Sequence, residues 1–458
     1  MASRFIQIRP DNIDSSATVS FKKGFPMISF TIQAQDGILD PSSIRINGNL
    51  TVFKDLAKTP VYSDDAQAIN MDNRLGIFAM FDQLVIRHNK SKQTCEHIRH
   101  YNRYLSSYLG MTSSKQDMMG HLSQSALMMP NSAAMQGSVV AAGLSAAGGA
   151  AVPRSFSCHL PSGFVMSGNR INLMENSFGG IQIEIHLSPD SNCLFTNGNA
   201  AGNVANAFYE LSDLSLTCEV ISPRPEELPA LRAQTSGALE FNSITSLYTS
   251  VNTNNAQIQY SLGLKNLQSV FMNFCPAANI NTLTENGLAT TGLSQSGGDQ
   301  QAAFINRIQW LRGGQKYPLE YDVVDQINTP GNTSIGGAGL KSRFQKADSQ
   351  LLRQFMESIV PEYMLDRSSI SPANGNYATK NLGSTYTFDD YKSTIDGGLL
   401  WGLGIRYSQF NKGQDFSTQQ WGCSLESFLS TDSPQAVFIY FKSKNTLVWN
   451  ENGIQLMS

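Results

Sequence analysis

Apolar and polar positions alternate along most of this chain with a period of two rather than 3.6, the signature of strands with one covered face. In the first half the alternation is clearest in MISFTIQ (27–33), SIRINGNLTVF (43–53), FDQLVIRH (81–88), GIQIEIHLS (180–188) and LSLTCEVIS (214–222). Turn chemistry such as QDGILDPSS separates them. The second half predicts strands at QIQYSLGL (257–264), LQSVFMNF (267–274), FINRIQWL (304–311), LLWGLGIRYS (399–408) and CSLESFL (423–429). It closes on PQAVFIYFKSKNTLVWNENGIQLMS (434–458), where Val437 to Phe441 are all β-branched or aromatic. Most chains end in a polar, frayed tail, so this ending reads as the closing strands of a domain.

Two segments break the pattern. HIRHYNRYLSSYLG (97–110) places Ile98, Tyr101, Leu105 and Tyr108 on one helical face, with Gly110 as the expected stop. DSQLLRQFMESIVP (348–361) does the same with Leu351, Leu352, Phe355, Met356 and Ile359, opening at Asp348 and stopping at Pro361. Between the first helix and the next strands runs an excursion rich in Ala, Gly, Ser and Met, about 111–153, expected to touch neighbouring subunits.

The two halves repeat one plan. Leu105 matches Leu352 at an offset of 352 − 105 = 247, and Tyr209 matches Val437 at 437 − 209 = 228. GGIQIEIHLS is matched with GGLLWGLGIRYS at 397 − 179 = 218. A broadly shared offset with local insertions predicts a duplicated β-domain. The expected division is 1–225, a linker at 226–237 within the proline-rich SPRPEELPALRAQTSG, and 238–458. Each unit would have about eight short strands and one helix, which fits two tandem eight-stranded jelly rolls, all-β with a few short helices, better than immunoglobulin-like sandwiches.

Composition sharpens this. At 458 residues the chain exceeds what one core ordinarily serves. Only 15% of residues are charged, against about 25% in ordinary soluble domains, and the net charge is −3. No global field draws such a protein to nucleic acid or an anionic membrane. The local cluster Arg87, Lys90, Lys92, Arg99 and Arg103 around Glu96 reads as a solvated connection. Six scattered cysteines without close pairs argue for reduced thiols and folding inside a cell. No secretory signal and no membrane-spanning apolar run is expected.

Catalytic chemistry is hard to find. The G-x-S-x-G, H-E-x-x-H, P-loop and dinucleotide-binding patterns are missing from the sequence. Cys95, His97 and His100 could share a metal on a helix face, but no fourth ligand is supplied and none is expected to bind. Asp64-Asp65 and Asp389-Asp390 read as solvated loop acids. Trp310, Trp401, Trp421 and Trp449 lie in or beside strand patterns and are expected in the core rather than as sugar platforms. Catalytic, cofactor and metal residues are therefore expected to be none.

FINRIQWLRGGQKYPLEYDV, the following helix and the ending VFIYFKSKNTLVWNENGIQLMS resemble the second half of the double jelly-roll major capsid proteins of DNA viruses, especially polinton-like viruses and virophages. FSCHLPSGFVMSGNRINLMENSFGGIQIEIHLSPDSNCLF and FYELSDLSLTCEVI are similar to the segments completing the first jelly roll in that group. The resemblance implies a homotrimeric, pseudo-hexagonal capsomer tiling an icosahedral virion, made inside the host cell. Its partners would be other copies of itself and penton and minor or cement capsid proteins, with no specific nucleic-acid sequence. The competing readings are a penton or minor capsid protein and a carbohydrate-binding jelly roll.

Overall fold

A computed structural model describes residues 2–14, 17–59, 69–72, 75–112, 121–128, 153–196, 206–253, 255–283, 287–288, 305–320, 323–324, 349–359, 402–407, 413–427, 434–450 and 453–457. The first unit contains β1 (Ala2–Ile8), β2 (Met27–Ile32), β3 (Ile38–Phe53), β4 (Phe81–His88), β5 (Thr94–Ile98), β6 (Arg154–His159), β7 (Ile181–Leu187) and β8 (Phe208–Ser222). The second contains β9 (Gly237–Val251), β10 (Asn255–Tyr260), β11 (Leu267–Pro276), β12 (Ile305–Arg312), β13 (Gln315–Lys316), β14 (Leu403–Arg406), β15 (Trp421–Ser427) and β16 (Gln435–Asn450). The sheets run β1-β8-β3-β6 and β2-β7-β4-β5, then β9-β16-β11-β14 and β10-β15-β12-β13. Adding eight to each strand number of the first unit gives the order in the second. Every pairing between these strands is antiparallel. This is a double jelly roll, with α1 (Tyr101–Thr112) and α2 (Ser349–Ile359) each between the fifth and sixth strand of its unit.

The alternation becomes a core in each unit. Ile181, Ile183 and Ile185 of β7 face Ile46, Leu216 and Val220 of the opposite sheet in one buried cluster. In the second unit Val270, Met272, Trp310, Trp421, Cys423, Val437, Ile439 and Phe441 fill the sandwich. The closing run is apolar at every position because β16 is buried on both faces. Val437, Ile439 and Phe441 point into their own sandwich, while Ala436, Phe438 and Tyr440 join the cluster that reaches into the first unit.

Several boundaries differ from expectation. LDP lies inside β3 rather than in a turn: the ladder to β8 shifts register between Thr217 and Glu219, and Pro41 sits at that bulge, where a missing N–H costs nothing. The segment 97–100 precedes the helix, because Thr94–Ile98 is the edge strand beside β4; α1 starts at Tyr101 and continues through Gly110 to Thr112, whose hydroxyl donates to the Tyr108 carbonyl. GGIQIEIHLS and GGLLWGLGIRYS are not equivalent. The first supplies the seventh strand of its unit and Leu403–Arg406 the sixth, so the true counterpart of β7 is β15, offset by 421 − 181 = 240. Asp348 and Pro361 lie outside the described residues.

Candidate assembly surfaces

Two outer sheet faces are candidate contact surfaces: that of β9-β16-β11-β14, largely covered within the chain, and the equivalent face of β1-β8-β3-β6, which is open. Across the covered face the register aligns Ser246, Tyr440, Phe271 and Gly404 in one row and Tyr248, Phe438 and Asn273 in the next. The first unit closes over Tyr440, Phe271, Phe438 and Asn273, while Tyr248 stays half exposed and Gly404 lies under Ser358 of α2, the second unit's own helix. Tyr104 of α1 packs on Tyr440 and Phe271 at 5.6 and 5.9 Å between ring centroids. The Arg103 guanidinium lies 4.2 Å from the Phe438 centroid, a stacked cation on an aromatic face. Tyr440 donates its hydroxyl proton to the His100 carbonyl (2.9 Å), Ser107 donates to Asn273 Oδ1 (2.6 Å), and Asn273 donates to the Arg103 carbonyl (2.7 Å). Farther down, Phe164 meets Phe241 and Phe178 meets Trp449 edge to face.

Glu96 of β5 is at the centre of this joint. Its Oε1 accepts the N–H groups of Gly163 (3.2 Å) and Ile244 (3.0 Å), and its Oε2 that of Phe164 (2.9 Å). The carboxyl is fully buried, and burial outweighs these bonds and raises its pKa from 4.5 to about 7. Gly163 must be glycine, since a Cβ there would lie 1.3 Å from the Asn242 carbonyl oxygen. The residues bringing the two units together here had no sequence signal beyond a lone acid amid cations.

The open face of the first unit is paved differently. One row is Gln7, Thr217, Arg45 and His159, and the next Ser215, Asn47 and Ser157. Neighbours satisfy one another: Gln7 donates to Ser215 (3.0 Å), Asn47 to Thr217 (3.2 Å), Ser157 to Asn47 (2.6 Å), Asn49 to Asp213 (2.7 Å) and the Arg45 guanidinium to His159 Nε2 (3.1 Å). Phe5 on the edge strand is 74% exposed. Such a surface is level, polar and nearly charge-balanced, suited to a wet contact.

The sequence candidates fall elsewhere. Arg87 pairs with Glu184, Lys92 donates to Asn89 and Gln182, and Arg103 is buried in the joint, so these three cations have partners other than Glu96, which is itself buried rather than solvated. Neither His97 nor His100 lies on the helix: His97 Nε2 meets Gln83 Oε1 at 3.0 Å, and His100 Nδ1 is 3.6 Å from Asp82. Cys95 is buried, which pushes its thiol up to about 12, and all six cysteines are free. Trp310, Trp421 and Trp449 are buried; Trp401, Asp64, Asp65, Asp389 and Asp390 lie outside the described residues. Among the described residues no cluster of three metal-ligating side chains occurs, and no helix is long and apolar enough to cross a membrane.

No family model and no curated protein matches this chain. Solved structures do. A chain of the PBCV-1 virus capsid superposes with a TM-score of 0.55 at 9% identity, covering 99% of this chain and 96% of that one. The Faustovirus major capsid protein gives 0.52 at 9%, covering 98% and 90%. A chain of the Sputnik virophage gives 0.52 at 9%, covering 100% and 88%. At such identity the likeness establishes the double jelly-roll fold over the whole chain.

Proposed function

We propose that this chain is a major capsid protein whose three copies close into a pseudo-hexagonal capsomer that tiles an icosahedral virion. The observation that carries the reading is the head-to-tail joint within the chain. The outer sheet of the second unit is covered by the flank of the first, while the same sheet of the first unit is bare. Contacts of this heterologous kind close into rings when repeated. Three copies of a two-unit chain give six walls, and the bare polar face would meet the second unit of the next copy. The fold kinship with capsid chains supports the same role.

In this reading the chain divides at 1–225, 226–237 and 238–458. The 111–153 excursion contacts neighbouring subunits, and penton and cement proteins fill the remaining contacts. The protein has no enzymatic role, metal or cofactor; it is synthesised in the host cell and resides in the virion. Light scattering on the purified protein tests this. A trimer is expected, and a stable monomer at micromolar concentration would overturn the capsid reading.

A further inference from the structure

Glu96 holds together three segments that come from both jelly rolls: its own strand β5, the 162–165 turn of the first unit, and Ile244 on β9 of the second. We propose that this carboxyl is a proton-operated clasp, tight when protonated and looser when ionised, that sets how firmly the two jelly rolls of one chain are joined. The inference does not depend on the capsid reading.

The physical reason is that the ionised group gains three N–H donors and the Ser162 hydroxyl but loses all its water, and burial outweighs the four donors. The largest effects on it are burial, which raises its pKa, and the three amides and the Ser162 hydroxyl, which lower it; no cation is among them. The titratable side chains that interact with it are Cys95, its neighbour on β5, and Tyr101 and Tyr104 from α1, all kept neutral because burial raises them. The 162–165 turn contributes only Ser162, Gly163, Phe164 and Val165, none of which titrates. A neutral acid keeps one carbonyl oxygen for the amides. When the joint opens and water returns, the group reverts toward its ordinary 4.5 from about 7. Closing therefore takes up a proton between those values. The contribution to closure is complete below the lower one, declines as pH rises, and is gone above the upper one. A separation of that size changes the ratio of closed to open joints by up to about 300-fold.

Amide hydrogen exchange on the full chain, corrected for the intrinsic effect of pH, tests the clasp. Residues 162–165 and 242–246 should lose protection from about pH 5 to about pH 8 relative to the core strand 421–425, and Glu96→Gln should flatten that decline. A flat wild-type profile, or the same decline in Glu96→Gln, would overturn the proposal. If Glu96→Gln fails to fold, the infrared band of protonated carboxyl groups in the wild-type protein decides. A component with a midpoint near 7 supports the clasp, whereas loss of every such band below about pH 5.5 refutes it.

Discussion

Single side chains decide how close the two jelly rolls can come. At Gly163 any side chain collides with the Asn242 carbonyl, a backbone atom that cannot rotate away. Gly163→Ala should therefore force the units apart and destabilise the protein by about 2 to 4 kcal/mol, read as a drop in melting temperature. Phe438 illustrates the opposite error, too little volume. It is held between the Arg103 guanidinium, the His100 ring at 4.9 Å and Tyr248 at 5.2 Å. Phe438→Ala should cost about 3 to 5 kcal/mol, since the surrounding strand cannot collapse into the gap. A change under about 0.5 kcal/mol would mean that the joint adds nothing to folding.

Among the elements, β16 has the largest structural role. It lies between β9 and β11, and its alternate residues serve two different cores. Truncation before Pro434 removes this strand, exposes both partners' backbone groups and uncovers large apolar side chains each worth about 1.5 to 3 kcal/mol. The product should aggregate through its open strand edges. The short terminal strand Gly453–Met457 is a different case. It pairs only with Thr446–Asn450, beyond the end of β11, and contributes the partly buried Ile454 and Leu456 to the core. Removing residues 451–458 should cost roughly 1 to 3 kcal/mol and leave a soluble, cooperatively melting protein. Equal behaviour of the two truncations would show that β16 is not the closing strand the topology makes it.

For the whole molecule, the contrast between the two outer sheet faces predicts a hierarchy of contacts. The covered face is aromatic and largely buried, so the units of one chain should stay together under conditions that separate copies. The open face is polar, so contacts between copies should be salt- and charge-sensitive. Ser157→Arg places a cation in the middle of that pavement and should leave the melting curve of the isolated chain within about 0.5 kcal/mol while abolishing self-association in light scattering. Unchanged association would remove this face from the assembly contact.

The strand rhythm, the two helices, the repeat and the closing strand at Val437–Phe441 were all readable in the sequence. Each follows from a local rule: side chains in a strand alternate, and a strand covered on both faces must be apolar throughout. The repeat could even be misaligned without harm to the fold class, as the pairing of GGIQIEIHLS with GGLLWGLGIRYS was, because similar glycine-led strands occur at different places in a jelly roll. Strands β1, β5, β6 and β9 are not among the strands the pattern predicts. Arg154–His159 and Gly237–Val251 carry Ser, Asn, Thr and Glu on faces whose exposure depends on what packs above them. The assembly surfaces were the least readable. Which outer sheet face is covered, and that Glu96 is surrounded by backbone amides from both units rather than by nearby lysines and arginines, depend on contacts between residues 148 and, for Tyr440 with His100, 340 positions apart. Sequence neighbours set the period of burial. Only the tertiary structure brings Ile244 and Gly163 to Glu96, because burial and electrostatics act through space and not along the chain.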